Sequence, residues 1–118
     1  MQFTIQLKPK AHQSTRFARG RCFKPAEVVA YQNAIGISCR LAMAKHKVKI
    51  TEDPLKCEIV FTFKGKKEFH TSRPDVDNLV KPVFDSMNGI LYKDDSQIVE
   101  LKVRKEYGAE DMIYISFG

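Results

Sequence analysis

Residues 73–100 read RPDVDNLVKPVFDSMNGILYKDDSQIVE, and the rest of the chain is arranged around this stretch. Asp75 and Asp77 are two residues apart, so on an extended backbone both side chains point to the same side. Two carboxylates held that way repel each other. The repulsion raises one pKa or recruits a cation, and a hard divalent ion with oxygen ligands is the ordinary relief. From Asn78 to Asn88 the residues Leu79, Val80, Val83, Phe84 and Met87 recur at helical spacing, with Asp77 or Asn78 as the cap and Asn88-Gly89 as the stop. The opposite face carries Lys81, Asp85 and Asn88. Lys81 lies one turn after Asp77, so its ammonium can lean back toward the acids, while Asp85 reads as a solvated face residue. Pro82 forfeits the backbone bond to the Asn78 carbonyl, which predicts a distorted first turn. A second acidic pair, Asp94 and Asp95, falls in the turn before an alternating strand with Val99, Leu101 and Val103. If that strand starts beside the strand end that bears Asp75, a third carboxylate joins the cluster.

Upstream, Cys57, Ile59, Phe61 and Phe63 alternate with Glu58, Val60 and Thr62, a strand apolar enough to be central. Gly65 to Ser72 is a basic loop delivering Arg73 and the acids; His70 within it reads as a solvated histidine, since nothing nearby fixes its ring. Pro25 opens a helix to about Lys45, with Val28, Ile35 and Ala42 along one face and Gly36 suited to close packing. Phe3, Ile5 and Leu7 mark a half-buried first strand, and Pro9 to Lys24 is an aperiodic basic loop. At the other end, about Gln97 to Tyr107 and Met112 to Phe117 read as a hairpin joined by Gly108 to Asp111. The order β-α-β-α-β-β predicts an α+β (α/β) fold, one mixed sheet of about four strands flanked by two helices. At 118 residues, a single domain over 1–118 is expected.

The formal charge of +6 is unevenly spread. No acid precedes Glu27, whereas Lys8, Lys10, Arg16, Arg19, Arg21 and Lys24 do; Lys64, Lys66, Lys67 and Arg73 lead into the acidic pair. Such a field suits a polyanion, with Lys10, Arg16, Arg19, Arg21, Lys24, Lys66, Lys67 and Arg73 as candidate phosphate contacts. The 43% apolar content argues against disorder. No apolar run approaches the ~20 residues that span a bilayer, and Met1 to Lys8 alternates unlike a signal peptide, so a cytoplasmic protein with no membrane partner is expected. Cys22, Cys39 and Cys57 are widely spaced with no C-x-x-C pair, which argues against a disulfide framework or a zinc site.

An EF-hand is excluded because its sixth and twelfth positions would be Val80 and Ser86 instead of Gly and Glu. Asp is common at helix caps and in turns, so the four acids taken singly have a structural reading. That reading leaves unexplained why two acidic pairs flank one lysine-bearing helix in a basic protein. The run Asp75-Val76-Asp77-Asn78-Leu79-Val80-Lys81, then Phe84-Asp85, the Asn88-Gly89 helix end and Asp94-Asp95-Ser96-Gln97-Ile98-Val99 resembles the RusA family of Holliday-junction resolvases in order, spacing and residue type. The N-terminal half is similar in outline only: the strand, the Pro9 turn and the basic run Arg16, Arg19, Gly20, Arg21.

The resemblance implies a small, magnesium-dependent, homodimeric endonuclease that nicks four-way DNA junctions in recombination and repair, of a kind often encoded by phages or prophages. It implies Asp75, Asp77 and Asp95 as metal-binding acids, Asp94 as a further candidate ligand and Lys81 as the essential basic residue. Mn²⁺ is the expected substitute for Mg²⁺, and no nucleotide cofactor is called for. Two other readings stay open on the residues alone: a non-cleaving basic DNA-binding module, and a metal-dependent nuclease of flaps or duplex DNA.

Overall fold

A computed structural model describes residues 1–12, 16–18 and 21–118, with the backbone alone for 16–18 and 21–23. The elements run β1 (Gln2–Ile5), β2 (Arg16–Ala18), β3 (Arg21–Phe23), α1 (Ala26–His46), β4 (Leu55–Lys64), α2 (Val76–Met87), a 3₁₀ turn (Asp95–Gln97), β5 (Ile98–Gly108) and β6 (Met112–Phe117). The main sheet has the order β1-β6-β4-β5, with β5 parallel to β4 and β6 antiparallel to both β4 and β1. The expected mixed sheet with two helices is therefore what forms. The aperiodic loop from Pro9 to Lys24 contains a small antiparallel ribbon, β2 with β3, whose three-residue strands are too short to leave a period in the sequence.

The central strand is β4, as its alternation predicts: Cys57, Ile59, Phe61 and Phe63 are buried. The C-terminal pair is a correction. Strands β5 and β6 are consecutive but do not pair; they lie on either side of β4, and the 109–111 connection passes over its end. Two bonds hold that crossing: Gly65 N–H donates to the Gly108 carbonyl (3.0 Å), and Lys64 N–H to Asp111 Oδ1 (2.8 Å). The reason is apolar content. Ile113, Ile115 and Phe117 of β6 are buried between β1 and β4, whereas β5, charged at Glu100, Lys102, Arg104 and Glu106, takes the edge, where charge discourages edge-to-edge pairing.

Helix α1 ends at Lys47, in the left-handed region at φ 58°, and crosses α2 at Gly36. A Cβ there would lie 3.1 Å from Ile90 Cδ1 and 3.3 Å from the Ser86 carbonyl, so glycine permits the close approach. Tyr31, Ile35, Cys39 and Met43 from α1 join Leu79, Val83 and Met87 from α2 over the sheet. Among the described residues, no helix is long and apolar enough to cross a membrane.

Candidate active site

The loop after β4 is shaped by aromatic packing, and His70 corrects the expectation of a solvated ring. Its imidazole is buried between Phe63 (ring centroids 4.4 Å apart) and Tyr107 (4.6 Å, rings 17° from parallel), residues that the sequence separates too widely to reveal the contact. Tyr107 lies across Gly65, where any Cβ would collide with its ring. From β5, Lys105 Nζ donates to the Ser72 carbonyl (2.6 Å) and the Pro74 carbonyl (2.9 Å), fastening the segment around Arg73. Lys105 gives no local sequence signal of this role, because the carbonyls it holds lie 33 and 31 residues upstream.

This fastening delivers Asp75 as the N-cap of α2, one residue before Val76 and earlier than the expected caps Asp77 or Asn78. Asp75 caps through its backbone alone, its carbonyl accepting from Leu79 N–H (3.2 Å), and its side chain makes no capping bond. Asp77 follows in the first turn. Both carboxylates are exposed and, among the described residues, make no ion pair, at the helix end where the backbone dipole is positive. An open cleft of ≈ 640 Å³ lies here, lined by Ala11, Arg73, Pro74, Asp75 and Asn78.

Pro82 lies beyond the first turn, because α2 starts at Val76, earlier than expected, and runs through the proline. The carbonyl that Pro82 leaves free, that of Asn78, accepts instead from His12 N–H at 2.7 Å. A proline inside a helix thus supplies the dock for the N-terminal arm and brings Ala11 into the cleft beside Asp75.

Lys81 also departs from expectation. Its ammonium reaches forward to Asp85 Oδ1 (3.0 Å) and toward Asp95 Oδ2 (4.0 Å), away from Asp77. The hydrogen bond and charge of Asp85, then the charges of Asp95 and Asp94, hold the Lys81 pKa above its ordinary value. Asp85 is therefore a partner of the lysine and not the solvated residue expected. Asp95 joins this group because β5 is parallel to β4: Ile98 pairs with Leu55, so the start of β5 sits beside the start of β4, not beside the end that leads to Asp75. Asp94 caps the 3₁₀ turn, accepting from Ser96 N–H (3.1 Å); hydrogen bonds from Ser96 hold its carboxyl below the usual range. Gln97 ties that turn down by donating to the Thr51 (2.9 Å) and Asp53 (3.1 Å) carbonyls, and buried Tyr92 donates to the Phe84 carbonyl (2.7 Å). Burial pushes the Tyr92 hydroxyl pKa up.

The acids thus fall at two places: Asp75 and Asp77 at the start of α2, and Asp85 of α2 with Asp95 of the 3₁₀ turn around Lys81. Among the described residues, no three His, Cys, Asp or Glu side chains stand close enough to cage a metal ion. Magnesium does not require such a cage, since it is usually held by one or two carboxylates, waters and substrate phosphates. The exposed carboxylates of Asp75 and Asp77, which make no ion pair among the described residues, fit that demand. Of the candidate phosphate contacts, Lys24, Lys66, Lys67 and Arg73 are exposed and Lys10 is half-buried. Arg19 lies outside the described residues, as do the side chains of Arg16 and Arg21.

A family model described as endodeoxyribonuclease RusA matches residues 5–117. The chain is 43% identical over 68 residues to a protein of Lactococcus phage r1t named crossover junction endodeoxyribonuclease rusA, covering 52% of each chain. It is 53% identical over 45 residues to the uncharacterized protein YqaN of Bacillus subtilis (strain 168), covering 38% of this chain and 32% of that one. The chain thus matches about half the length of the phage relative and about a third of the Bacillus relative.

Proposed function

Because the chain belongs to the RusA family, matched over residues 5–117, we propose that it is a structure-selective endodeoxyribonuclease that resolves four-way (Holliday) DNA junctions by paired nicking. The observation that carries this reading is two exposed carboxylates, Asp75 and Asp77, which make no ion pair among the described residues, at the start of the helix that also bears Lys81, in a chain of net charge +6. Asp75 and Asp77, with Asp95 and Asp94 as further donors from the other group, would hold Mg²⁺ or its substitute Mn²⁺. When bound, the ion supplies positive charge against the scissile phosphate and acidity to an attacking water.

The chain's own groups do the rest. Exposed Lys66, Lys67 and Arg73 bind the flanking phosphates, and the start of α2 adds its positive dipole end. Lys81, held in place by Asp85, offers a full positive charge to the phosphate as negative charge builds in the transition state. Cys39, Cys57 and His70 are buried and take no part as nucleophiles. A junction with two-fold symmetry is cut twice, which calls for two sites related by a two-fold axis and hence a homodimer. Helix α1 supports this partner, since Val29, Ile37 and Leu41 are exposed on its outer side (41%, 59% and 67%).

The pairing of Asp95 with Lys81 favours a second reading, a DNA-binding module that does not cleave. One experiment separates the two: labelled four-way junction and matched linear duplex are incubated with the protein, with and without Mg²⁺. Symmetric nicks in the junction alone, dependent on magnesium, are the expected result. Binding that persists in EDTA with no nick in magnesium would establish the binding module, and nicking of duplex or flaps would establish a less selective nuclease.

A further inference from the structure

The loop between β4 and α2 holds one aromatic ring in and its neighbour out. His70 is buried between Phe63 and Tyr107, and the residue immediately before it, Phe69, is 70% exposed, the most exposed of the large hydrophobic side chains described. Lys105 fastens the same loop at Ser72 and Pro74. Phe69 is therefore presented from a braced loop, six residues before Asp75. Its surroundings are cationic: Lys64, Lys66, Lys67 and Arg73 fall within residues 64–73, against one acid, Glu68. An exposed phenyl ring among phosphate-binding cations has the two components of a single-strand platform, a flat apolar face for a base and charge for its backbone. Plain duplex buries its base faces in the stack. A branch point offers bases whose stacking is interrupted, and only these can meet the ring without the cost of opening a helix.

We propose that Phe69 stacks on an unstacked base at the branch point and so determines selectivity for branched DNA over duplex. The inference rests on the junction-cleaving reading above and adds the residue that recognises the branch. Phe69 is not a metal ligand and touches no reacting atom; its role is in substrate choice.

The test uses the full chain in EDTA, so that binding is read without cleavage. Four-way junctions carry 2-aminopurine either at the exchange point or within an arm, and a matched duplex is the control. Wild type is expected to prefer junction over duplex and to change the fluorescence of the exchange-point reporter alone. Phe69→Ala should lose that signal and about tenfold in junction affinity, with duplex affinity unchanged, and Phe69→Tyr should restore both. A thermal melt matching wild type confirms that each variant is folded. The inference is overturned if Phe69→Ala keeps both the signal and the preference, or if it loses junction and duplex affinity equally. A wild-type protein that binds junction and duplex alike, with no branch-point signal, overturns the junction reading itself and this inference with it.

Discussion

Lys81 points forward along α2, with its Nζ 3.0 Å from Asp85 Oδ1. A lysine four residues before an acid is the weaker order for a helical pair, because the lysine then lies nearer the positive end of the dipole. Lys81 is also more than half exposed. The pair therefore adds little to stability, and its consequence is where the ammonium sits. Lys81→Ala should fold normally and lower the cleavage rate by ~10² or more, with little change in junction affinity. Equal losses in rate and affinity would make Lys81 a binding residue only.

Asp85 is a positioning residue under the same geometry. Asp85→Asn keeps the side-chain shape but removes the charge that places Lys81, and a loss of about tenfold in cleavage rate is expected, smaller than that of Lys81→Ala. The pH profile distinguishes this from general damage: without Asp85 the upward push on the Lys81 pKa weakens, so the alkaline fall in rate should begin at lower pH than in wild type. A wild-type rate and profile would return Asp85 to the role of a solvated face residue.

Asp75→Asn, Asp77→Asn and Asp95→Asn separate enzyme from binding module. Each should abolish magnesium-dependent nicking yet bind junctions at least as tightly as wild type in EDTA, because a charge that repels phosphate has gone. A gel shift and a cleavage assay on the same proteins are sufficient. Normal cleavage by all three would sink the assignment.

Lys66 and Lys67 are exposed three and two residues before Phe69, and Arg19 and Arg21 belong to the basic stretch that precedes Glu27 in the sequence. Replacing either pair with alanine should reduce the slope of log affinity against log salt by about one unit per lost phosphate contact. An unchanged slope would show that the altered segment faces away from DNA.

Burial pushes Cys39 up to about 11, Cys57 to about 12 and Tyr31 to about 12, from ordinary values of 9.0, 9.0 and 10.0. All three are raised, so the stability linked to them is fully present below the unfolded values and is lost as pH rises from about 9 through the folded values near 12. Melting temperature should fall steeply above pH 9.0, and a thiol reagent at neutral pH should leave Cys39 and Cys57 unmodified until the protein unfolds. A melting temperature that stays level to pH 12 would contradict these shifts.

The sequence by itself determined what depends on local period and residue chemistry. The alternation from Cys57 to Phe63 marked the central strand, the Leu79-to-Met87 pattern with the Asn88-Gly89 stop marked α2 to within two residues at its start, and the spacing of Asp75, Asp77 and Lys81 made them candidates whose roles the family resemblance then implied. Contacts between residues distant along the chain were decided by the tertiary structure. A two-strand pattern with a short turn looks the same whether the strands pair with each other or straddle a third, and only the competition of β5 and β6 for burial beside β4 resolved it. That parallel placement of β5 carried Asp95 to Lys81 and away from Asp75. Likewise His70 is buried because Phe63 and Tyr107, far apart in sequence, meet on adjacent strands, and the carbonyl vacated by Pro82 finds its donor in His12. Side-chain periodicity records which face of an element is apolar; it holds no record of which distant element that face will meet.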